Sequence, residues 1–196
     1  MKAMVFIDYQ NFSINLNKHY NGIPHKTINY VRLGRVINDI LPFNATVMKT
    51  YLFAYKPCTE LMKLEKYQLY YQWLTNLKKV PYLEVIEGRQ EIRFYNGIEF
   101  NLEDPYSYYT EEKETDINLA NHLLTKAFQN AYDIAIIVTG DTDYINVVET
   151  LHALGKVVII AHFPHQNISK YDGICDTNII LYDDILNKAA NKTKRK

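Results

Sequence analysis

The apolar positions of the chain fall into short continuous runs separated by stretches of helical spacing. Residues 3–7 form an apolar run that stops at Asp8, as a buried strand does. Residues 12–20 and 27–41 predict helices. In the second, Tyr30, Val31, Leu33, Val36, Ile37, Ile40 and Leu41 recur at helical spacing and Pro42 ends it. A strand over 46–55, a long amphipathic helix over 59–79 capped by Thr59, and a strand over 82–87 follow. Residues 89–102 alternate around Asn96-Gly97, a two-residue hairpin turn signal. A polar, tyrosine-rich loop is expected over 103–114. Beyond it come a helix (116–130), a strand (133–138), a helix (144–154), a strand (156–162), a short helix near Ser169 and a last strand (178–181). Strands and helices alternating at these lengths predict a mostly parallel α/β sheet with right-handed crossovers.

Length and composition fit one domain. The 196 residues are 47% apolar and 22% charged, which excludes wholesale disorder. A body over 1–186 and a basic tail over 187–196 are expected. Cys58 and Cys175 lie far apart, excluding a disulfide framework and a cysteine-rich zinc site. The seven glycines never fall closer than nine positions apart, so there is no P-loop, no G-x-G-x-x-G and no G-x-S-x-G elbow. No apolar run is long enough for a membrane span. The apolar stretch before Asp8 is too short for a signal-peptide core, so a cytoplasmic location is expected.

Net charge is zero, with 22 basic and 22 acidic residues, but its distribution is uneven. Residues 96–150 carry eleven acidic and two basic groups, against a mildly basic remainder. A solvated acidic loop accounts for 99–114. It does not account for the carboxylates beside apparently buried strands. In an open α/β sheet, ligands bind beyond the carboxyl ends of the strands. Asp8 follows the first strand, with Asn11 three residues on. Asp141 and Asp143 follow the 133–138 strand in V-T-G-D-T-D-Y, and Asp116 opens a helix whose start belongs at the same edge. Singly, each has an ordinary explanation as a turn residue, a first-turn acid or a helix cap. Together they do not, because crowded carboxylates cost stability unless a cation compensates them. Oxygen-only donors suit Mg²⁺ or Mn²⁺. His162 and His165 have ligand spacing but flank Pro164, and read as loop residues.

F-I-D-Y-Q-N-F, K-E-T-D-I-N-L-A and I-I-V-T-G-D-T-D-Y, in this order across 3–182, resemble the NYN branch of PIN-like nucleases. The resemblance implies a Rossmann-like three-layer fold around a central parallel sheet, and a Mg²⁺- or Mn²⁺-dependent endoribonuclease acting on RNA phosphodiesters. It implies that Asp8, Asp116 and Asp141 bind metal, that Asp143 is a further or water-mediated ligand, and that Asn11 positions a ligand or the substrate phosphate. Asp176 matches a position nearer the rim. Glu114 stands where relatives often have glycine.

Ser13 and Lys113 are candidate phosphate contacts, with solvated surface roles as the alternative. The 49–95 stretch interleaves basic residues with tyrosines and Trp73, a composition that suits single-stranded RNA, but Tyr67, Tyr70, Tyr71 and Leu74 have the spacing of a helix packing face, and a core role is favoured for most of them. The basic tail offers an electrostatic contact. The inserted hairpin and loop over 89–114 could serve as a lid, a substrate guide or a dimerisation arm, which makes a homo-oligomer a further candidate. The competing readings are a catalytically silent RNA-binding or scaffold module of the same fold, a DNA nuclease, and a D-x-D transferase, the last disfavoured for want of a sugar-nucleotide pocket.

Overall fold

The computed structural model describes residues 1–191. Its centre is the first strand, β1 (Lys2–Asp8), buried from Ala3 to Asp8. Alternation along it divides the core. Ala3, Val5 and Ile7 face one apolar layer, while Met4 and Phe6 face the other. The first layer is covered by α1 (Tyr9–His19), α2 (Tyr30–Asp39), α3 (Glu65–Leu77) and α6 (Asp183–Ala189). The second is covered by α4 (Thr115–Phe128) and α5 (Ile145–Ala153). The remaining strands are β2 (Thr46–Lys56), β3 (Leu83–Phe94), β4 (Tyr108–Lys113), β5 (Ile134–Val138), β6 (Val157–His162) and β7 (Thr177–Ile180). The result is a three-layer α/β fold.

The sheet order is β4-β3-β2-β1-β5-β6-β7, parallel throughout except for the antiparallel β3–β4 pair. The chain builds outward from β1 through β2 and β3, then returns to lay β5 on the opposite side of β1. The strand order therefore reverses between β1 and β5. At such a switch point the connections leave in opposite directions and open a crevice at the carboxyl ends of the strands. Asp8 ends β1 at that crevice, beside Val138 at the end of β5, which pairs with Ile7.

Several boundaries differ from the sequence pattern. The helix expected over 12–20 begins at Tyr9, because Asp8 caps it by accepting from Asn11 N. The helix expected over 27–41 begins at Tyr30 behind an Asn29 cap, and Ile28 is held extended by a bridge to Ala190. The helix expected from Thr59 is broken: a single tight turn (Leu61–Lys63) buries Leu61, Leu64 is extended, and α3 starts at Glu65.

The largest correction concerns the hairpin. A turn does form at Asn96-Gly97, with Gly97 at φ 80, but residues 98–102 do not pair with β3. The returning strand is β4, inside the segment expected to be loop. Its register sets Arg93 against Tyr109, and the Arg93 guanidinium bonds Glu111 across the pair at 2.7 Å. The intervening loop closes on buried Ser107, whose hydroxyl bonds Asn101 and Asp104 carbonyls.

The tail expected from 187 is also shorter than its sequence suggested. Residues 187–189 complete α6, Ala189 and Ala190 are buried, and Asn191 N donates to Thr27 O at 2.8 Å. Residues 192–196 lie outside the described residues. Among the described residues no helix is long and apolar enough to cross a membrane.

Where β3 passes the β4–α4 junction, Gly88 permits a close approach. A Cβ there would lie 2.4 Å from Thr115 Oγ1 and 2.5 Å from the Lys113 carbonyl oxygen. Gly88→Ala is expected to destabilise the protein by about 1–3 kcal/mol through overpacking. At about 2–4 °C per kcal/mol for a chain of this size, thermal melting reads the loss directly. An unchanged midpoint would show that the junction can yield.

Candidate metal centre and active site

Asp8 is the best-held residue at the switch point. It is only 4% exposed. Its Oδ1 accepts from Asn11 N at 3.0 Å, and its Oδ2 accepts from the Thr139 hydroxyl at 3.1 Å. Thr139 Oγ1 in turn accepts from Asp141 N at 3.1 Å, so a single hydroxyl ties the end of β1 to the loop after β5. Asn11 makes the second tie, its Oδ1 accepting from Gly140 N at 3.1 Å and from Gln166 Nε2 at 2.9 Å. This clamp leaves the Nδ2 amide as the part of Asn11 able to meet a ligand. Burial pushes the Asp8 carboxyl up to about 6. The Asn11 and Thr139 bonds oppose that rise, while the negative charges of Asp116 and Asp141 add to it.

Asp116 comes from the first turn of α4, where the helix dipole favours an acid. Its Oδ1 accepts from Tyr144 Oη at 2.8 Å. Tyr144 is buried at the start of α5 and its hydroxyl is held protonated, first by burial and then by the charges of Asp8 and Asp116. The donor direction of that bond is thereby fixed. Asp141 is partly buried, and its Oδ1 accepts from Asp143 N at 3.0 Å, while its carbonyl accepts from Tyr171 Oη.

A fourth acid joins these three. Glu112, on β4, has both carboxylate oxygens buried and without a hydrogen-bond partner. Burial raises its carboxyl to about 7; nearby Thr115 offsets part of this, and the charges of Asp8 and Asp116 add to it. Among the described residues, none of Asp8, Glu112, Asp116 and Asp141 forms an ion pair with a Lys, Arg or His. Two buried carboxylates raised by neighbouring negative charge, without a protein cation, form an electrostatic deficit at the crevice.

The NYN domain profile matches residues 2–181, nearly the whole described chain. The chain belongs to the NYN domain family. This is a PIN-like nuclease family, and such families usually use divalent metals. The fold of this NYN domain is also similar to the crystal structure of a protein of unknown function from Vibrio parahaemolyticus RIMD 2210633. That similarity covers 93% of this chain and 94% of the other, with a TM-score of 0.58 and 17% identity. No curated protein matches the chain.

Within this NYN domain the predicted site residues divide into two groups. Asp8, Asp116 and Asp141 share one edge, and the charges of Asp116 and Asp141 both act on Asp8. Asp143 is exposed, and its charge acts on Tyr171. Ser13 sits one turn along α1 and donates to Gln10 O at 3.2 Å. Lys113 is turned away: its Nζ pairs with Glu111 at 2.7 Å on the face of β4 opposite to Glu112. His162 and His165 bond Phe163 O and Asn15 Oδ1. Asp176 lies at the other edge of the sheet, where it accepts from Val158 N at 2.7 Å and pairs with His152. Glu114 adopts the left-handed conformation at φ 74 just before α4, a backbone position that favours glycine. Arg89 holds it there at 3.3 Å.

Glu112 escaped the sequence reading because 103–114 read as solvated loop. Only the pairing of Glu112 with Gln90 puts its side chain on a covered face of the sheet. No three His, Cys, Asp or Glu side chains among the described residues are already drawn into a closed metal-binding group. The donor set nevertheless fits a hard divalent cation. It is all oxygen, and the unpartnered oxygens of Glu112 together with the buried Asp8 are groups that positive charge would satisfy.

Proposed function

We propose that this NYN domain is a Mg²⁺- or Mn²⁺-dependent endoribonuclease of the cytoplasm that hydrolyses RNA phosphodiester bonds. The observation that carries the reading is the set of Asp8, Asp116 and Asp141 at the carboxyl edge of the sheet, with Glu112 of β4 raised by the charges of Asp8 and Asp116, and no protein cation paired with any of the four. Asp8, Asp116 and Asp141 would hold the cation, which when bound supplies charge neutralisation at the phosphate and an activated water.

The rest of the work falls to the chain's own groups. Asn11, through Gly140 and Gln166, fixes the loop that carries Asp141. Thr139 orients the Asp8 carboxylate, and Tyr144 orients that of Asp116. The Glu112 carboxylate would take at Oε1 or Oε2 the proton that the attacking water gives up. The Nδ2 amide of Asn11 would donate to a phosphate oxygen.

The test is cleavage of end-labelled RNA and DNA with Mn²⁺, with Mg²⁺ and with chelator. Fragments from RNA that vanish with chelator and return on adding metal are expected. Cleavage indifferent to chelator would overturn the reading. Saturable RNA binding without cleavage under any metal would establish instead the silent binding module.

A further inference from the structure

The helix that begins at Asp8 presents two neighbouring faces. Asp8 and Asn11 lie on the first, at the carboxylate site. Tyr9, Phe12 and Ser13 lie on the second, at helical spacing, and line a concavity of ≈ 300 Å³ that contains none of the carboxylates. Tyr30, Trp73 and His25 supply its other walls. Three-hundred-ångström-cubed clefts are at the lower end of small-ligand sites, about the scale of one planar heterocycle with its sugar.

Tyr9, Phe12, Tyr30 and Trp73 give it aromatic walls beside Leu16 and Ile28, and from the tilted Tyr9 and Trp73 rings a row of ring contacts continues outside it. The Tyr9 and Trp73 rings lie 5.0 Å apart, Tyr70 is 5.7 Å from Trp73, and Tyr55 stacks on Tyr70 at 4.8 Å. The 49–95 aromatics therefore split: Tyr55, Tyr70 and Trp73 form a row leading to Tyr9, next to Asp8. Tyr9 and Trp73 are only partly buried, so the row is open to a ligand. Polar groups sit at its border, the Ser13 hydroxyl and the His25 ring, whose Nδ1 is 3.1 Å from Lys26 O. That contact commits Nδ1 as the donor and leaves Nε2 as the ring atom available to a base edge.

We infer that this concavity is a nucleobase subsite: it takes one unstacked base of a single-stranded RNA, against Tyr9 and Trp73, while the neighbouring phosphodiester lies at the carboxylates. The inference rests on the nuclease reading for its substrate and adds what that reading lacks, namely a place for a base. Sequence-tolerant stacking on aromatic faces is the physical basis, and it requires a base free of a duplex. The site therefore selects single-stranded over fully paired RNA.

Trp73 is the chain's one tryptophan, so it reports its own environment. With chelator present, titration of the full chain with a short single-stranded RNA is expected to quench Trp73 fluorescence saturably. A strand of the same length and charge with abasic riboses is expected not to. By anisotropy, Trp73→Leu should weaken binding of the base-bearing strand by about 5–150-fold, the range for one stacked base, and leave abasic binding unchanged. Trp73→Phe should recover most of the affinity. Equal quenching by both strands, or an unchanged ratio of affinities in Trp73→Leu, would overturn the subsite. Base-dependent quenching without cleavage under any metal would sustain the subsite and sink the nuclease reading. Cleavage without base-dependent quenching would do the reverse.

Discussion

Asp8→Asn is expected to lose divalent-dependent cleavage by about 100-fold or more while making the metal-free protein harder to melt. The two effects have one cause. The carboxylate is buried beside other negative charges, and its rise from 3.8 to about 6 corresponds to about 3 kcal/mol of penalty on the ionised form at alkaline pH. Asparagine keeps an Oδ1 for Asn11 N and caps a helix as well as aspartate does. Its amide can donate to the Thr139 oxygen where the carboxylate accepted. The charge is thus removed without loss of the local bonds. At about 2–4 °C per kcal/mol the midpoint should rise by several degrees at pH 8. A ligand deleted from a metal site costs at least the 10–100-fold seen for the groups that merely support ligands. A lower midpoint with intact cleavage would reduce Asp8 to a helix cap.

The second expected result is a pH-dependent response to metal. Asp8 and Glu112 have carboxyls raised to about 6 and about 7, above their ordinary values of 3.8 and 4.5. Between those limits the native state binds more protons than the unfolded chain. Their contribution to stability is therefore complete below about pH 4 and is lost as pH rises through 6 and 7. A divalent cation acts in the opposite sense, binding the ionised form. At a hundredfold excess over its dissociation constant it contributes about 2.7 kcal/mol, or about 5–10 °C in midpoint. Melting with and without Mn²⁺ at pH 5 and pH 8 should show a large rise only at pH 8. An equal response at both pH values would mean that the cation binds elsewhere.

How much of this site was legible in the sequence depends on how local the cause is. Asp8 stood out because an apolar run ends on it, and Asp141 because it follows another such run in a tight polar turn. Both conditions are local. The hydrogen bond from Thr139 to Asp8 joins residues 131 positions apart, and nothing in either neighbourhood predicts it. Asn96-Gly97 illustrates the converse failure. The turn chemistry was right, but it sits near the start of a long loop, and the return strand was chosen by the Arg93–Glu111 pairing and by burial of Tyr108. The placement of that strand concealed Glu112, and it sets Lys113 against Glu111 on the other face of β4. Asp143 fits the D-x-D pattern, yet the turn that lets its N–H bond Asp141 leaves its carboxylate in solvent.

Among the described strands β1 comes first in the sequence and lies innermost in the sheet, with β2 on one side and β5 on the other. A ribosome must deliver every element from α1 to α4 after β1 before that second neighbour exists. Until then one edge of β1 has no partner, and Asp8 and Asp141 cannot be near each other. Such long-range closure makes folding slow and exposes an apolar strand during translation. A released fragment ending before residue 134 would consequently carry Asp8 and Asp116 yet assemble no crevice.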